Sequence, residues 1–233
     1  MVKSKSITCC FCGKKLSAVK FLYHKKPFCQ NCYLKFQDIS STKFNRQQLL
    51  AHDRVHIDDP LAITNLSNIL KENLISLYNQ SQQDLIIVCI GTDRSTGDSL
   101  GPLIGSKLAN FRLDNKVKIL GTLDSPVHAT NLKEKINIIQ NNYYHPFIIA
   151  VDAGLGKNSS VGAISVNDGP LKPGSGVNKK LPEIGDIHIT GLVNVSGYME
   201  YFVLQSTRLN LVMKMSKIIS YSIIQSLRKI FRL

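Results

Sequence analysis

The sequence lacks any run of roughly eighteen or more apolar residues, the length that a transmembrane helix needs. Its first twelve residues, MVKSKSITCCFC, also lack the apolar core of a secretory signal peptide. Both absences argue against a membrane or exported protein and predict a cytoplasmic location. With 233 residues and 43% hydrophobic content, the chain can form one sizeable domain and a small appendage.

Two glycine-based signatures of nucleotide-binding proteins are also absent. The chain contains no GxGxxG segment of dinucleotide-binding proteins and no GK[ST] phosphate-binding loop. Residues 91–94, GTDR, follow an apolar run but match neither of these patterns. These absences disfavour nucleotide-dependent chemistry. A serine nucleophile is disfavoured because neither Ser99 nor Ser125 has an evident histidine partner in the sequence.

Acidic residues are scarce at the two ends of the chain. The net charge is +13, and residues 1–38 contain eight lysines but one aspartate. Residues 207–233 contain six basic residues and no acidic one, whereas the middle of the chain is neutral. Such ends suit an acidic partner or nucleic acid, and they equally suit plain solvated surfaces.

Cysteine, by contrast, is concentrated near the N-terminus. Two Cys-x2-Cys pairs sixteen residues apart form the spacing of a structural zinc site, with the ligands Cys9, Cys12, Cys29 and Cys32. Cys10 and His24 are weaker ligand candidates. Four thiolates close the coordination of zinc, so this ribbon is predicted to stabilise its segment or bind a partner without catalysing a reaction. Cys89 lies in an apolar run and is interpreted as a core residue.

Beyond the cysteines, strand patterns alternate with helix patterns. Strands are predicted over 85–90, 117–122, 147–151, 161–166 and 184–189, and helices over 61–78, 103–110, 131–140, 195–206 and 210–231. This order predicts an α/β fold with three αβα layers, a mostly parallel sheet and a phosphorylase/hydrolase-like architecture. The predicted divisions are a zinc ribbon (1–38), a linker with a short helix around 47–55 (39–59) and the αβα domain (60–233), which includes a long loop over 167–182.

Two carboxylates follow predicted strands and are the main candidates for a site. Asp98 comes after the apolar strand that begins at Leu85, and Asp152 comes directly after residues 147–151. Ligands and catalytic groups collect at the carboxyl ends of strands in open α/β sheets. Asp98 and Asp152 could share a proton and hydrolyse a peptide bond by acid–base catalysis, or bind a divalent metal ion with His188 as third ligand. Alternatively, Asp98 could simply cap the following helix.

Long segments of the sequence resemble the spore protease YyaC family of endospore-forming bacteria. They are CIGTDRSTGDSLGPLIG, GTLDSPVHATNL, FIIAVDAGLG and the stretch from residue 169 to 209. That family resembles in turn the germination protease of spores and the hydrogenase-maturation endopeptidases. The resemblance implies a three-layer αβα fold, in which Asp98 and Asp152 match the two essential aspartates of the germination protease.

The resemblance also implies candidate functions. The first is a sporulation-associated peptidase that cleaves protein substrates such as small acid-soluble spore proteins, in the cytoplasm or forespore. The second is a non-catalytic sporulation adaptor that binds partners through the zinc ribbon and the basic ends. The third is a metal-dependent maturation-type endopeptidase, in which a second divalent ion would bind Asp98, Asp152 and His188 in the core. The cysteine ribbon is not part of the family pattern.

Overall fold

The computed structural model describes residues 54–174 and 181–231, together with Lys15, residues 21–23 and residues 26–30. Two short antiparallel strands, β1 (Phe21–Tyr23) and β2 (Lys26–Phe28), pair in the N-terminal region. Three of the four predicted zinc ligands, Cys9, Cys12 and Cys32, lie outside the described residues. The zinc ribbon therefore stays a prediction.

Six strands form one mixed sheet. They are β3 (Arg54–His56), β4 (Leu85–Cys89), β5 (Val117–Leu120), β6 (Phe147–Gly156), β7 (Ala163–Asp168) and β8 (Ile187–Val195). Their spatial order is β3-β7-β8-β6-β4-β5. The strands β8, β6, β4 and β5 run parallel, whereas β7 is antiparallel to β8 and β3 is antiparallel to β7.

Helices cover both faces of this sheet. They are α1 (Ala62–Leu77), α2 (Leu100–Ala109), α3 (Leu132–Asn142), α4 (Glu200–Gln205) and α5 (Leu209–Phe231). Leu85, Ile87 and Cys89 of β4 pack in one core with α1, α2 and α5. Ile86 and Val88 pack in a second core with α3. Since alternate residues of a strand point to opposite faces, β4 is buried on both sides and is apolar throughout.

The prediction of a mixed α/β fold with a mostly parallel sheet and helices is confirmed. Four predicted strands and four predicted helices occur within a few residues of their expected positions. The remaining strand, predicted over 184–189, begins later and extends to Val195, so the helix predicted over 195–206 is reduced to α4. The reason is pairing: β8 runs beside β6 and β7, and its backbone stays extended while those partners continue.

Tertiary pairing also changes two other expectations. Val55 was expected in a short helix, but it lies in β3, which pairs with β7 through Val55 and Ile164. The strand β6 continues five residues past Val151, because β8 remains hydrogen-bonded to it as far as Gly156. Among the described helices, none combines the length and the hydropathy of a membrane span.

Candidate functional site

The loop between β4 and α2 holds Asp98 against the end of the sheet. The Thr92 backbone N–H donates to the Asp98 carbonyl oxygen at 3.2 Å. A side chain at Gly91 would collide with that same carbonyl group, and one at Gly101 would collide with the backbone of Ile90. The two glycines therefore allow the loop and the start of α2 to lie directly on the end of β4.

Helix capping does not explain Asp98. The helix α2 begins at Leu100, so the capping position belongs to Ser99, and Ser99 makes no side-chain hydrogen bond to the helix backbone. Its hydroxyl donates instead to the Thr96 carbonyl oxygen at 2.7 Å. Asp98 stands one position earlier, close to the positive end of the helix dipole, which favours a negative charge there. Asp98 is therefore not the capping residue of α2, although its position near the start of the helix favours its negative charge.

Asp152 lies within β6, just beyond the end of β4. The last residue pair between β4 and β6 is Cys89 with Val151, and the Ile90 N–H donates to the Val151 carbonyl oxygen at 2.7 Å. On the other side, Asp152 pairs with Thr190 of β8. Asp152 is thus inside a strand rather than at its end, but it occupies the place where the neighbouring strand has stopped. That gap exposes part of its surface to solvent.

The structure brings the two carboxylates into electrostatic contact and gives them unequal surroundings. Burial raises the pKa of Asp152 well above its ordinary value, and the negative charge of Asp98 raises it further. The Ala153 N–H, which donates to Asp152 Oδ1 at 2.8 Å, opposes this in part. Burial also raises the pKa of Asp98, whereas the Thr92 backbone N–H and His128 lower it.

This arrangement favours different protonation states for the two groups. Two carboxylates that repel each other are stabilised when they share one proton. The pKa of Asp152 is raised well above its ordinary value, whereas His128 opposes protonation of Asp98. A pair with one acid and one base can activate water on one side and protonate an oxygen on the other.

His128 is a site residue that the sequence patterns did not single out. It follows Val127, which forms an isolated parallel bridge with Ile90 at the end of β4. The sequence did contain a signal for His128, because this residue lies in the segment that follows the predicted strand 117–122. The carboxyl ends of parallel strands meet at one edge of a sheet, so segments that follow such strands lie close together. The pairing of β5 with β4, which brings that segment beside Asp98, is not readable from the sequence.

His188 is placed differently from Asp98 and Asp152. It lies second in β8, opposite Ala150, and therefore two residues before Thr190, which pairs with Asp152. Its Nδ1 lies 2.9 Å from the Gly169 carbonyl oxygen. The structure thus joins this imidazole to the turn after β7, and no described contact links it to Asp98 or Asp152.

No metal centre is formed by the described part of the chain. Within residues 54–174 and 181–231 and the short N-terminal pieces, no group of three or more His, Cys, Asp or Glu side chains could hold a metal ion. Of the predicted zinc ligands only Cys29 is described, and its residue is partly buried. Cys89 is fully buried and burial raises the pKa of its thiol, as expected for a core residue.

Known proteins are similar to this chain over most of its length. The sequence model of a family described as "Protein of unknown function (DUF1256)" matches residues 54–222. The uncharacterized protein YyaC of Bacillus subtilis (strain 168) is 59% identical over 145 residues, which cover 62% of this chain and 70% of that protein. A solved NiFe hydrogenase maturation protease, HycI from Thermococcus kodakarensis KOD1, has a TM-score of 0.45 and 15% identity, with 69% of this chain and 99% of that chain covered.

Proposed function

Because the chain belongs to the DUF1256 family, whose description gives no activity, we propose from its site that it is a peptidase that cleaves protein substrates with Asp98 and Asp152. The observation that carries this proposal is the coupled pair: one carboxylate from the loop after β4 and one from the neighbouring strand β6, with unequal environments, at the carboxyl edge of a mostly parallel sheet. The sequence resemblance to spore proteases agrees with it and suggests spore proteins as substrates.

The proposed reaction uses Asp98 as base and Asp152 as acid. Asp98 takes a proton from a water molecule, whose oxygen attacks the carbonyl carbon of the peptide bond. Asp152 gives its proton to the carbonyl oxygen, which becomes a hydroxyl of the tetrahedral intermediate. Asp98 then passes its proton to the departing amine, the C–N bond breaks, and Asp152 recovers its proton from the hydroxyl as the new carboxyl group forms.

The test is cleavage of acid-extracted spore proteins and of a proteome-derived peptide library, with new peptide ends identified by mass spectrometry. We expect cleavage by the wild-type protein and a loss of about 100-fold or more in rate for Asp98→Asn and for Asp152→Asn, since each removes a proton-transfer group. The matched control is Asp93→Asn, an exposed carboxylate of the same loop, which should cleave like the wild type.

Two results would contradict this proposal. One is the absence of new peptide ends with the wild-type protein. The other is cleavage by both aspartate variants at the wild-type rate. Loss of cleavage on chelation, with recovery on adding a divalent ion, would instead favour a metal-dependent endopeptidase.

A second candidate function, a binding protein without catalysis, is favoured by one group of exposed apolar side chains. Tyr198, Met199, Tyr201 and Phe202 lie at and before α4 with more than half of each side chain exposed. Exposed apolar groups of this size often mark protein contacts. A purified partner that binds wild type and Asp98→Asn/Asp152→Asn equally, but not Tyr201→Ser/Phe202→Ser, would support this function.

A further inference from the structure

We propose that His128 is a positioning residue of this site, which acts through Asp98 by keeping its carboxylate ionised, so that Asp98 rather than Asp152 takes the proton from water. The inference rests on the proposed function for its catalytic meaning. Its physical content, an imidazole that controls the charge of Asp98, can be measured without any substrate.

The backbone places His128 next to the Asp98 loop. Gly91 is the connecting residue, since its N–H donates to the Val127 carbonyl oxygen at 2.8 Å. The other side of Gly91 lies directly against the Asp98 carbonyl group, which leaves no room for a Cβ atom. The chain after β5 is thus separated from Asp98 by one residue without a side chain.

The imidazole of His128 is held in a fixed orientation. Its Nδ1 lies 2.8 Å from Thr130 Oγ1, and the backbone N–H of His128 donates to Asn131 Oδ1 at 2.8 Å. The Asn131 side chain in turn donates to the Pro126 carbonyl oxygen at 2.9 Å. The Thr130 hydroxyl thus contacts the Nδ1 side of the ring. The residue is only partly buried, so substrate and water can reach it.

The electrostatic environment supports the same assignment. The charged side chains in electrostatic contact with Asp98 include His128 after β5 and Asp152 on β6. Of the side chains, His128 is the one that lowers the pKa of Asp98 against the effect of burial. For Asp152, no charged side chain of the described residues is found to lower the pKa, and the charge of Asp98 raises it. His128 therefore separates the roles of two otherwise similar carboxyl groups.

The primary test is the titration of the Asp98 carboxyl carbon by NMR in the full-length protein labelled with ¹³C-aspartate. The Asp98 signal is assigned by its loss in Asp98→Asn. We expect His128→Gln to shift this titration upward by about one pH unit, the lower end of the effect of a close opposite charge. An unchanged or downward-shifted titration would overturn the proposal, whether or not the protein is a peptidase.

Two further variants keep the test decisive. His145→Asn removes an exposed histidine on the loop that precedes β6 and should leave the Asp98 titration unchanged. Thr130→Val removes the hydroxyl beside Nδ1, and it should shift the titration in the same direction by less. It also replaces His128→Gln if that variant does not fold, in which case an unchanged titration in Thr130→Val would overturn the proposal.

For a protein that cleaves, the pH profile of kcat/KM gives a second measurement. The acid limb should move to higher pH in His128→Gln by the same amount as the Asp98 titration. A uniform loss of rate at every pH, with the limb in place, would show a merely structural role for His128. Absence of cleavage by the wild type would contradict the peptidase proposal and leave the NMR result to decide the role of His128.

Discussion

At the scale of single residues, Asp152 shows a conflict between stability and chemistry. A carboxyl group loses hydration when it is buried, so its charged form is disfavoured in the folded state. The Asp152 pKa is raised well above the ordinary value, with the charge of Asp98 adding to the effect of burial. At pH values between the pKa of Asp152 in the unfolded state and its higher pKa in the folded state, the folded protein holds one more proton than the unfolded protein. The free energy of unfolding therefore falls as the pH rises through this window.

From this sign follows a prediction for Asp152→Asn. The amide keeps an oxygen that can accept from the Ala153 N–H but carries no charge, so the variant should unfold at a higher temperature than the wild type at pH 7. Each kcal/mol gained corresponds to about 2–4 °C in a domain of this size. The gain should disappear below about pH 3, where the wild-type carboxyl is protonated in both states. Thermal unfolding at a series of pH values measures it.

The control for this prediction is Asp93→Asn, because Asp93 is exposed in the loop that holds Asp98. It should show no comparable gain at any pH. A gain for Asp152→Asn that is equal at about pH 3 and at pH 7 would contradict the assignment of a raised pKa to this group.

At the scale of elements, α1 shows how local pattern and tertiary packing agree. The residues Leu66, Leu70 and Leu74 recur on one side of the helix and are fully buried against the sheet and α5. Ile75 follows Leu74 directly but lies on the opposite side, and the residue is 67% exposed. The spacing of the leucines is visible in the sequence, and this is why the helix was predicted within one residue at each end.

The adjacent residues Leu74 and Ile75 provide a matched pair of substitutions. Leu74→Ala should lower the free energy of unfolding by about 2–5 kcal/mol, because it leaves a cavity in the core. Ile75→Ala should change it by no more than about 0.5 kcal/mol, since the side chain is in solvent. Urea denaturation followed by circular dichroism measures both. Similar losses for the two variants would mean that α1 packs on a different face.

Other elements could not be read from local pattern, for an equally physical reason. Residues 190–195 contain Thr, Gly and Asn and resemble neither a regular strand nor a helix, yet they form the second half of β8. Their extended shape depends on hydrogen bonds to β6 and β7, which are distant in the chain. Strand length is set by the partner, and partners are not encoded in a local window.

At the scale of the whole molecule, the predicted zinc ribbon and the αβα domain differ in how they would be stabilised. Residues 54–231 contain two apolar cores that support the sheet. A segment of about forty residues has too little core for this and commonly depends on a metal or disulfides. If the cysteine pairs bind zinc, the ion belongs to the N-terminal segment and not to the candidate site.

Metal analysis of the purified protein tests this division. We expect one zinc ion per chain, lost in Cys9→Ser/Cys12→Ser and retained in Asp98→Asn/Asp152→Asn. The cysteine variant should keep the thermal unfolding transition of the αβα domain, because that domain contains its own cores. Zinc that persists in the cysteine variant but is lost in the aspartate variant would instead indicate a metal in the core site.

The sequence by itself determined the α/β alternation, the buried strand β4 and the two carboxylates worth testing. It could do so because apolar periodicity and strand-to-loop transitions are local properties of the chain. Only the tertiary structure decided which residues meet. It joined Asp98 to Asp152 and His128, and it placed His188 on the carbonyl group of Gly169. Strand order and register bring distant segments together, and these depend on pairing across the whole sheet rather than on any one segment.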